Sequence, residues 1–209
     1  MNKSFLYITL FLFCINNFSQ SKEECFSNLS IFAEYAKVKN YDAAYQPWLL
    51  VKADCPDLNP AIYVYGERIL KDFIKKSTGN DKDVYKQDLL NLYDQWLKYF
   101  SKSKNGNTQV GKILAIKAQS MISLKLGDDK EVYDIYNEAF TKDPTSFKSP
   151  KGLYNYFEIY FNLYKAENSS VTLESIFEKY EVLTEKFELE MSVYSSKLDA
   201  LLKKEQSAN

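Results

Sequence analysis

The chain has 209 residues, with 27 basic and 28 acidic side chains and no histidine. The near-zero net charge gives no electrostatic case for binding nucleic acid or an anionic membrane. The absence of histidine excludes imidazole metal ligands, imidazole acid–base catalysis and the Ser-His and Cys-His nucleophile pairs. Three cysteines are too few for a thiolate zinc site, and no glycine-rich phosphate loop is present. We therefore expect no metal, no cofactor and no enzyme activity.

Residues 1–19 have the pattern of a secretory signal peptide. Lys3 gives a positive start, residues 5–14 form an apolar run, and Ser19 is a small residue at the expected cleavage position. The run is too short to span a bilayer, which needs roughly twenty residues. Cys14 follows Phe13 rather than a small residue, which argues against lipid attachment. We expect an exported protein, periplasmic or secreted, in which residues 20–209 form one helical domain without a transmembrane segment.

Residues 28–56 predict two helices joined by a tight turn. Apolar residues recur at helical spacing on both sides of the Lys39-Asn40 pair, and a proline ends the second helix. The segment resembles a tetratricopeptide repeat, which has a tyrosine late in its first helix, an alanine and an aromatic residue four apart in its second, and a closing proline. The matching residues are Tyr35, Ala44, Trp48 and Pro56. Departures from the family's tryptophan, small residue and turn glycine stand at Asn28, Phe32 and Lys39.

Residues 120–144 repeat this pattern. The matching residues are Gly127 at the turn, Tyr136 and Ala139 on the second helix, and Pro144 at its end. Here Ser123 and Val132 depart from the family's tyrosine and alanine. Two copies favour repeated helical hairpins over the alternative, an unrelated helical bundle.

Cys25 and Cys55 are the two cysteines that remain after removal of the signal peptide. If the first turn centres on residue 40, residues whose numbers sum to roughly 80 lie at the same height on facing helices, and these two satisfy that sum. Helix axes about 8–10 Å apart allow the Cα separation that a disulfide requires, and an exported chain meets an oxidising compartment. We predict a Cys25–Cys55 disulfide; the alternative is two buried free thiols.

Helical spacing continues beyond the first hairpin and predicts six further helices. Their expected ranges are 60–76, 81–101, 110–124, 130–142, 151–166 and 172–204. The predicted fold is all-α, with about eight helices in about four stacked antiparallel hairpins, a tetratricopeptide-like α-solenoid with a long C-terminal helix. That last helix has apolar residues at spacings of three and four, close to a heptad repeat. Its second half either folds back over the final groove as a cap or contacts a partner.

The mature chain resembles a group of secreted tetratricopeptide-type proteins of Bacteroidota. The resemblance lies in residues 39–56 (KNYDAAYQPWLLVKADCP), 61–63 (AIY) and 88–100 (DLLNLYDQWLKYF). It implies the helical-repeat fold and export. It implies no catalytic residue and no ligand, because members of that group lack an assigned activity.

Stacked hairpins form a concave face from the first helix of each pair, and such faces bind peptides or helices. We therefore predict a non-enzymatic protein-binding scaffold of the cell envelope, whose partner is a protein or peptide. The residues expected to line its groove are Phe26, Leu29, Ala33, Ala36, Leu114, Lys117, Met121 and Leu124. Ordinary core packing is the alternative interpretation for all eight.

A second hypothesis is an exported glycan- or small-molecule-binding protein that uses exposed aromatic side chains. The chain has 17 tyrosines and 14 phenylalanines, which the first hypothesis uses to fill the grooves between helices. Trp48 and Trp96 need exposed faces in the second hypothesis, whereas the first hypothesis buries both. A carboxylate-based enzyme would require two acids that converge in one pocket, and no such pair stands out in the sequence.

Overall fold

The structure is a computed structural model that describes residues 21–166 and 170–208. The predicted signal peptide, residues 1–19, lies outside the described residues. Eight helices occupy the described chain: α1 Lys22–Lys37, α2 Tyr41–Asp54, α3 Ala61–Lys76, α4 Gly79–Phe100, α5 Val110–Leu124, α6 Asp129–Lys142, α7 Pro150–Lys165 and α8 Leu173–Ala208. Within the same residues, β-type pairing is limited to one isolated bridge between Lys102 and Thr108.

Consecutive helices pack as antiparallel pairs. α1 packs on α2, α3 on α4, α5 on α6 and α7 on α8, and the pairs join through α2–α3, α4–α5 and α6–α7. The prediction of an all-α stack of helical hairpins with a long C-terminal helix is therefore confirmed. The third to seventh helices also begin and end within two residues of their predicted positions.

Local capping chemistry explains where the helices begin and turn. Ser21 and Asp128 each form a capping box with the glutamate three residues later, and Ser149 caps α7, which has Pro150 in its first turn. Lys39 has a φ of +61°, the left-handed conformation that a turn glycine adopts without strain. The first turn therefore forms with a lysine in it, and the backbone at that residue carries a steric cost.

An aromatic layer forms the first core, between α1 and α4. The indole Nε1 of the fully buried Trp48 donates a 2.8 Å hydrogen bond to the Ile62 carbonyl. Gly66 lies directly against this ring, because a Cβ at that position would come within 2.7 Å of indole atoms. Tyr63 stacks on Trp96 with ring centroids 6.0 Å apart. These rings join α2, α3 and α4 into one unit.

The second core joins α5 to α8 around Tyr136. Its ring stacks on Phe147 and Tyr156, with centroids 5.8 Å away in both cases. A hydrogen bond connects the two cores, since the buried Tyr93 hydroxyl lies 2.6 Å from Ser120 Oγ. The two halves of the stack therefore share a polar contact as well as apolar packing.

Cys25 and Cys55 form the predicted disulfide. It joins the start of α1 to the residue after α2, with Cα atoms 6.3 Å apart, and Cys25 is fully buried. On the chain-entropy model, closing a loop with a sequence separation of 30 restricts the unfolded chain by roughly 3–4 kcal/mol. The bond therefore fastens the first hairpin.

The first half of α8 anchors this helix to the rest of the fold. Lys179 donates a 2.8 Å hydrogen bond to the Tyr156 hydroxyl, and its ammonium lies within 5.6 Å of three ring centroids. Those rings belong to Tyr133, Tyr156 and Tyr160. Burial lowers the pKa of Lys179, while cation–π attraction stabilises its charged form. From Met191 to residue 206, the side chains of α8 are exposed.

Candidate functional site

A cleft of about 620 Å³ lies between α3 and α5, at the junction of the second and third hairpins. The first helices of neighbouring hairpins touch elsewhere in the stack, where α1 packs on α3 and α5 packs on α7. α3 and α5 are both described in full. No Cα atom of α3 lies within 8 Å of a Cα atom of α5, although both of the other pairs reach this distance. The stack therefore opens at this one junction of its described hairpins.

Four parts of the fold supply the walls of the cleft. α3 supplies Glu67 and Lys71, and α8 supplies Tyr194 from across the opening. The remaining wall residues come from α5 and from the connection between α6 and α7 together with the first residue of α7. They are Lys112, Ala115, Ile116, Gln119, Ser120, Ser146, Phe147, Lys148, Ser149 and Pro150. The walls thus combine apolar surface with amino, amide and hydroxyl groups.

Lysines give the cleft a positive rim. Lys71 is paired with Glu67 at 2.6 Å, whereas Lys112 and Lys148 are exposed and form no ion pair with a described residue. The two unpaired lysines also border an adjoining cavity of about 440 Å³. Their ammonium groups are therefore available to a carboxylate or another anionic group of a ligand.

Asp143 fixes the start of α5 against the α6–α7 connection. Its buried carboxylate accepts hydrogen bonds from the Gly111 amide at 3.1 Å, the Thr108 hydroxyl at 2.9 Å and the Ser146 hydroxyl. Ser146 Oγ in turn accepts the Lys112 amide at 3.0 Å. Burial acts to raise the pKa of Asp143, but these hydrogen bonds outweigh it and hold the pKa below its usual value. The network therefore positions Lys112 at the cleft.

The eight residues predicted to line a concave groove are not in the wall of this cleft. Those buried in the cores are Ala36, Leu114 and Met121. Those partly buried against the first core are Leu29, Ala33 and Leu124. Phe26 is 50% exposed, and Lys117 forms an ion pair with Asp94 at 2.6 Å. A groove role for the eight stays a prediction.

Sequence reasoning missed the part of α5 that faces the cleft. Lys112, Ile116 and Gln119 follow the helical spacing of four and three, on the side of the helix opposite Leu114 and Met121. Gln119 is held in place because its side-chain oxygen accepts a 2.6 Å hydrogen bond from an asparagine of α7. The mixed polarity of this second face is the signal that could have identified it.

The residues of the repeat signature occupy several environments. Fully buried positions on the second helices are Ala44, Trp48, Tyr136 and Ala139. The others are Tyr35, which is 41% exposed, the partly buried Pro56, the exposed Pro144, and Gly127 with a φ of +70°. The buried members are thus the small and aromatic residues at helix contacts.

The two tryptophans and the buried acids of the described residues, which could form other kinds of site, are already engaged. Trp48 is 0% and Trp96 is 5% exposed, so neither presents the free ring face that the glycan hypothesis requires. The two buried acids are Asp143, whose hydrogen bonds are given above, and Glu190, which pairs with Lys186. Within residues 21–166 and 170–208, no group of three or more cysteine or acidic residues could hold a metal ion.

Comparison with known families, curated proteins and solved structures finds no match to this chain. None of the described helices is both long enough and apolar enough to cross a membrane. The resemblance to tetratricopeptide repeats and to exported proteins of Bacteroidota therefore stays a prediction from the sequence. The geometry of the α3–α5 cleft is the basis for the functional assignment.

Proposed function

We propose that this protein is a non-enzymatic binding scaffold of the cell envelope that holds a protein or peptide partner in the α3–α5 cleft. The cleft is the observation that carries this proposal. Its volume of about 620 Å³ accepts several side chains, and its walls come from four separate parts of the fold. A segment of a partner chain can place both charged and apolar side chains against such a mixed surface.

The chemistry of the walls favours an extended segment with acidic and apolar side chains. Lys112 and Lys148 offer charge to carboxylates, while the half-buried Ile116 and Pro150 offer apolar surface. The exposed Ser149 hydroxyl accepts the Gly152 amide, and its own proton can bind a backbone carbonyl of a peptide. The proposed ligand is therefore an acidic peptide segment, recognised by charge at the rim and by apolar contact inside.

The proposed compartment is the periplasm or the outside of the cell. The support is the signal-peptide pattern of residues 1–19 together with the Cys25–Cys55 disulfide. Disulfides persist mainly where the surroundings are oxidising, as they are outside the cytosol.

Crosslinking and pull-down with the chain from residue 20 onward, applied to cell-envelope fractions, tests the proposal. We expect recovery of a defined protein partner, and we expect the double variant Lys112→Glu/Lys148→Glu to recover at least about tenfold less of it. The matched control is Lys22→Glu/Lys75→Glu, which makes the same charge change at exposed lysines on α1 and α3 outside the cleft.

Two results would contradict the assignment. Equal recovery by the cleft variant and the control would place the binding surface elsewhere. Recovery of soluble glycan without any protein would favour the alternative, a glycan-binding protein. The burial of both tryptophans supports the protein-binding scaffold over that alternative.

A further inference from the structure

A continuous apolar stripe runs along the exposed side of α8. Its positions alternate between spacings of four and three, and we call this set the α8 stripe. Its members are Leu173, Phe177, Tyr180, Thr184, Phe187, Met191, Tyr194, Leu198 and Leu201. All members other than Thr184 are large apolar or aromatic residues between 36% and 65% exposed. An exposed apolar surface of this extent marks an interaction site rather than an ordinary helix face.

The spacing identifies the kind of partner. Alternation of three and four is the heptad pattern of a helix whose seam packs into a second helix with the same repeat. The face of α8 that packs on its own domain is a different one, which includes Ile176, Lys179 and Leu183. The α8 stripe lies beside that face, and Tyr180 at its edge also contacts the Phe157 ring of α7, with centroids 5.7 Å apart.

The two halves of α8 are complementary in shape. Beside its first half lies an apolar groove of about 210 Å³ between α7 and α8, lined by Leu153, Tyr154, Phe157, Tyr180, Leu183, Thr184 and Phe187. The second half presents Leu198 and Leu201 with 56% and 65% of their surface exposed. One half thus offers a slot between helices, and the other offers side chains that fill such a slot.

The two halves also differ in charge. Residues 173–190 carry six glutamates and two lysines, a net charge of −4. Residues 191–206 carry three lysines, one aspartate and one glutamate, a net charge of +1. Antiparallel pairing of two α8 helices sets each acidic half beside a basic half, whereas parallel pairing sets the two acidic halves side by side.

We propose that two copies of this chain associate through α8 in an antiparallel arrangement. In each copy, Leu198 and Leu201 enter the α7–α8 groove of the other copy. The arrangement is closed and two-fold symmetric, because each copy supplies one slot and one filling segment. The six exposed side chains of the α8 stripe from Tyr180 to Leu201, each about half buried already, offer on the order of 600 Å² per copy, which is one partner's share of a stable interface at the lower end of the usual range.

Sedimentation equilibrium of the chain from residue 20 onward, between low and high micromolar concentration, tests the association. We expect a concentration-dependent dimer. The variant Leu198→Glu/Leu201→Glu is expected to raise the dissociation constant at least about 100-fold, because it places four carboxylates in two apolar slots. The control Ser192→Glu/Ser196→Glu adds the same charge to exposed positions outside the α8 stripe. It makes the second half of α8 net negative, so we expect it to raise the dissociation constant by no more than about tenfold and to retain the dimer at high micromolar concentration.

Photo-crosslinking tests the orientation. A photoreactive amino acid at Leu201 is expected to label residues 153–187 of the other copy, where the groove lies. Labelling confined to residues 191–208 would overturn the antiparallel arrangement. A monomer at all concentrations, or a dimer that survives Leu198→Glu/Leu201→Glu, would overturn the association itself. Loss of the dimer in the serine control as well would overturn the role of the apolar residues.

Discussion

Replacement of Asp143 by alanine tests whether one buried carboxylate organises the cleft. Asp143 is 2% exposed and accepts hydrogen bonds from Thr108, Gly111, Thr145 and Ser146. The most costly loss concerns the buried Gly111 amide, because an unpaired buried donor costs about 1–3 kcal/mol. The hydroxyl groups of Thr108, Thr145 and Ser146 can rotate toward water, so the loss of their hydrogen bonds adds less to the destabilisation. We expect the free energy of unfolding to fall by about 3 kcal/mol.

Urea denaturation at pH 7 measures this change, and Asp128 provides the matched control. Asp128 is also a carboxylate that caps a helix, but it is exposed and its bond to the Glu131 amide is local. Alanine at Asp128 is expected to cost about 1 kcal/mol, typical of an N-cap residue. Equal and small losses at the two positions would refute the reasoning that burial and long-range bonding make Asp143 special.

The pH dependence of stability gives an independent check on Asp143. Its pKa is held below the value of about 3.9 that an aspartate has in an unfolded chain. The stabilisation from its charged form is therefore fully present above the unfolded pKa and is lost as the pH falls through the folded pKa. We expect the stability difference between the unmodified chain and Asp143→Asn to be constant above about pH 5 and to shrink in more acidic solution. A stability difference that grows as the pH falls would contradict the lowered pKa of Asp143.

Three further changes probe the scaffold. Reduction of the Cys25–Cys55 disulfide should lower the free energy of unfolding by roughly 3–4 kcal/mol, and reductant should leave a Cys25→Ala/Cys55→Ala variant unchanged. Lys39→Gly should raise the melting temperature, because glycine relieves the steric cost of the left-handed backbone at this position. We expect a net stabilisation of about 0.5–1 kcal/mol after the greater conformational freedom of glycine in the unfolded chain is subtracted. A lower melting temperature would show that the backbone at Lys39 is not strained. Gly66→Ala should cost about 1–3 kcal/mol in urea denaturation, because its Cβ would lie 2.7 Å from the fixed Trp48 ring, and a neutral result would show that the ring can move.

The positions of the helices could be read from local sequence because the signals that fix them are local. Helical spacing of apolar residues marked the interiors, and Pro56, Gly127 and Pro150 marked ends and turns. The disulfide followed from the same information, since the length of two helices and the turn between them sets which residues face each other.

The cleft could not be read in this way. The helical pattern of an α5 residue is the same whether its neighbour is α3, α7 or solvent, so spacing alone left both a groove role and core packing open for Leu114 and Met121, which the structure buries. The cleft depends on how far the third hairpin stands from the second. Contacts between residues far apart in sequence set that distance, among them the hydrogen bond between Tyr93 of the second hairpin and Ser120 of the third.

The sequence by itself determined eight helices, their pairing into hairpins and the partner of Cys25, because backbone hydrogen bonding and side-chain period act over a few residues. The tertiary structure alone decided that α3 and α5 stand apart, that Lys112 faces the gap between them, and that the apolar side of α8 stays uncovered. The physical reason is that lateral packing is chosen by shape and charge across the whole stack. The backbone hydrogen bonds within a helix form in the same way whichever neighbour the helix packs against.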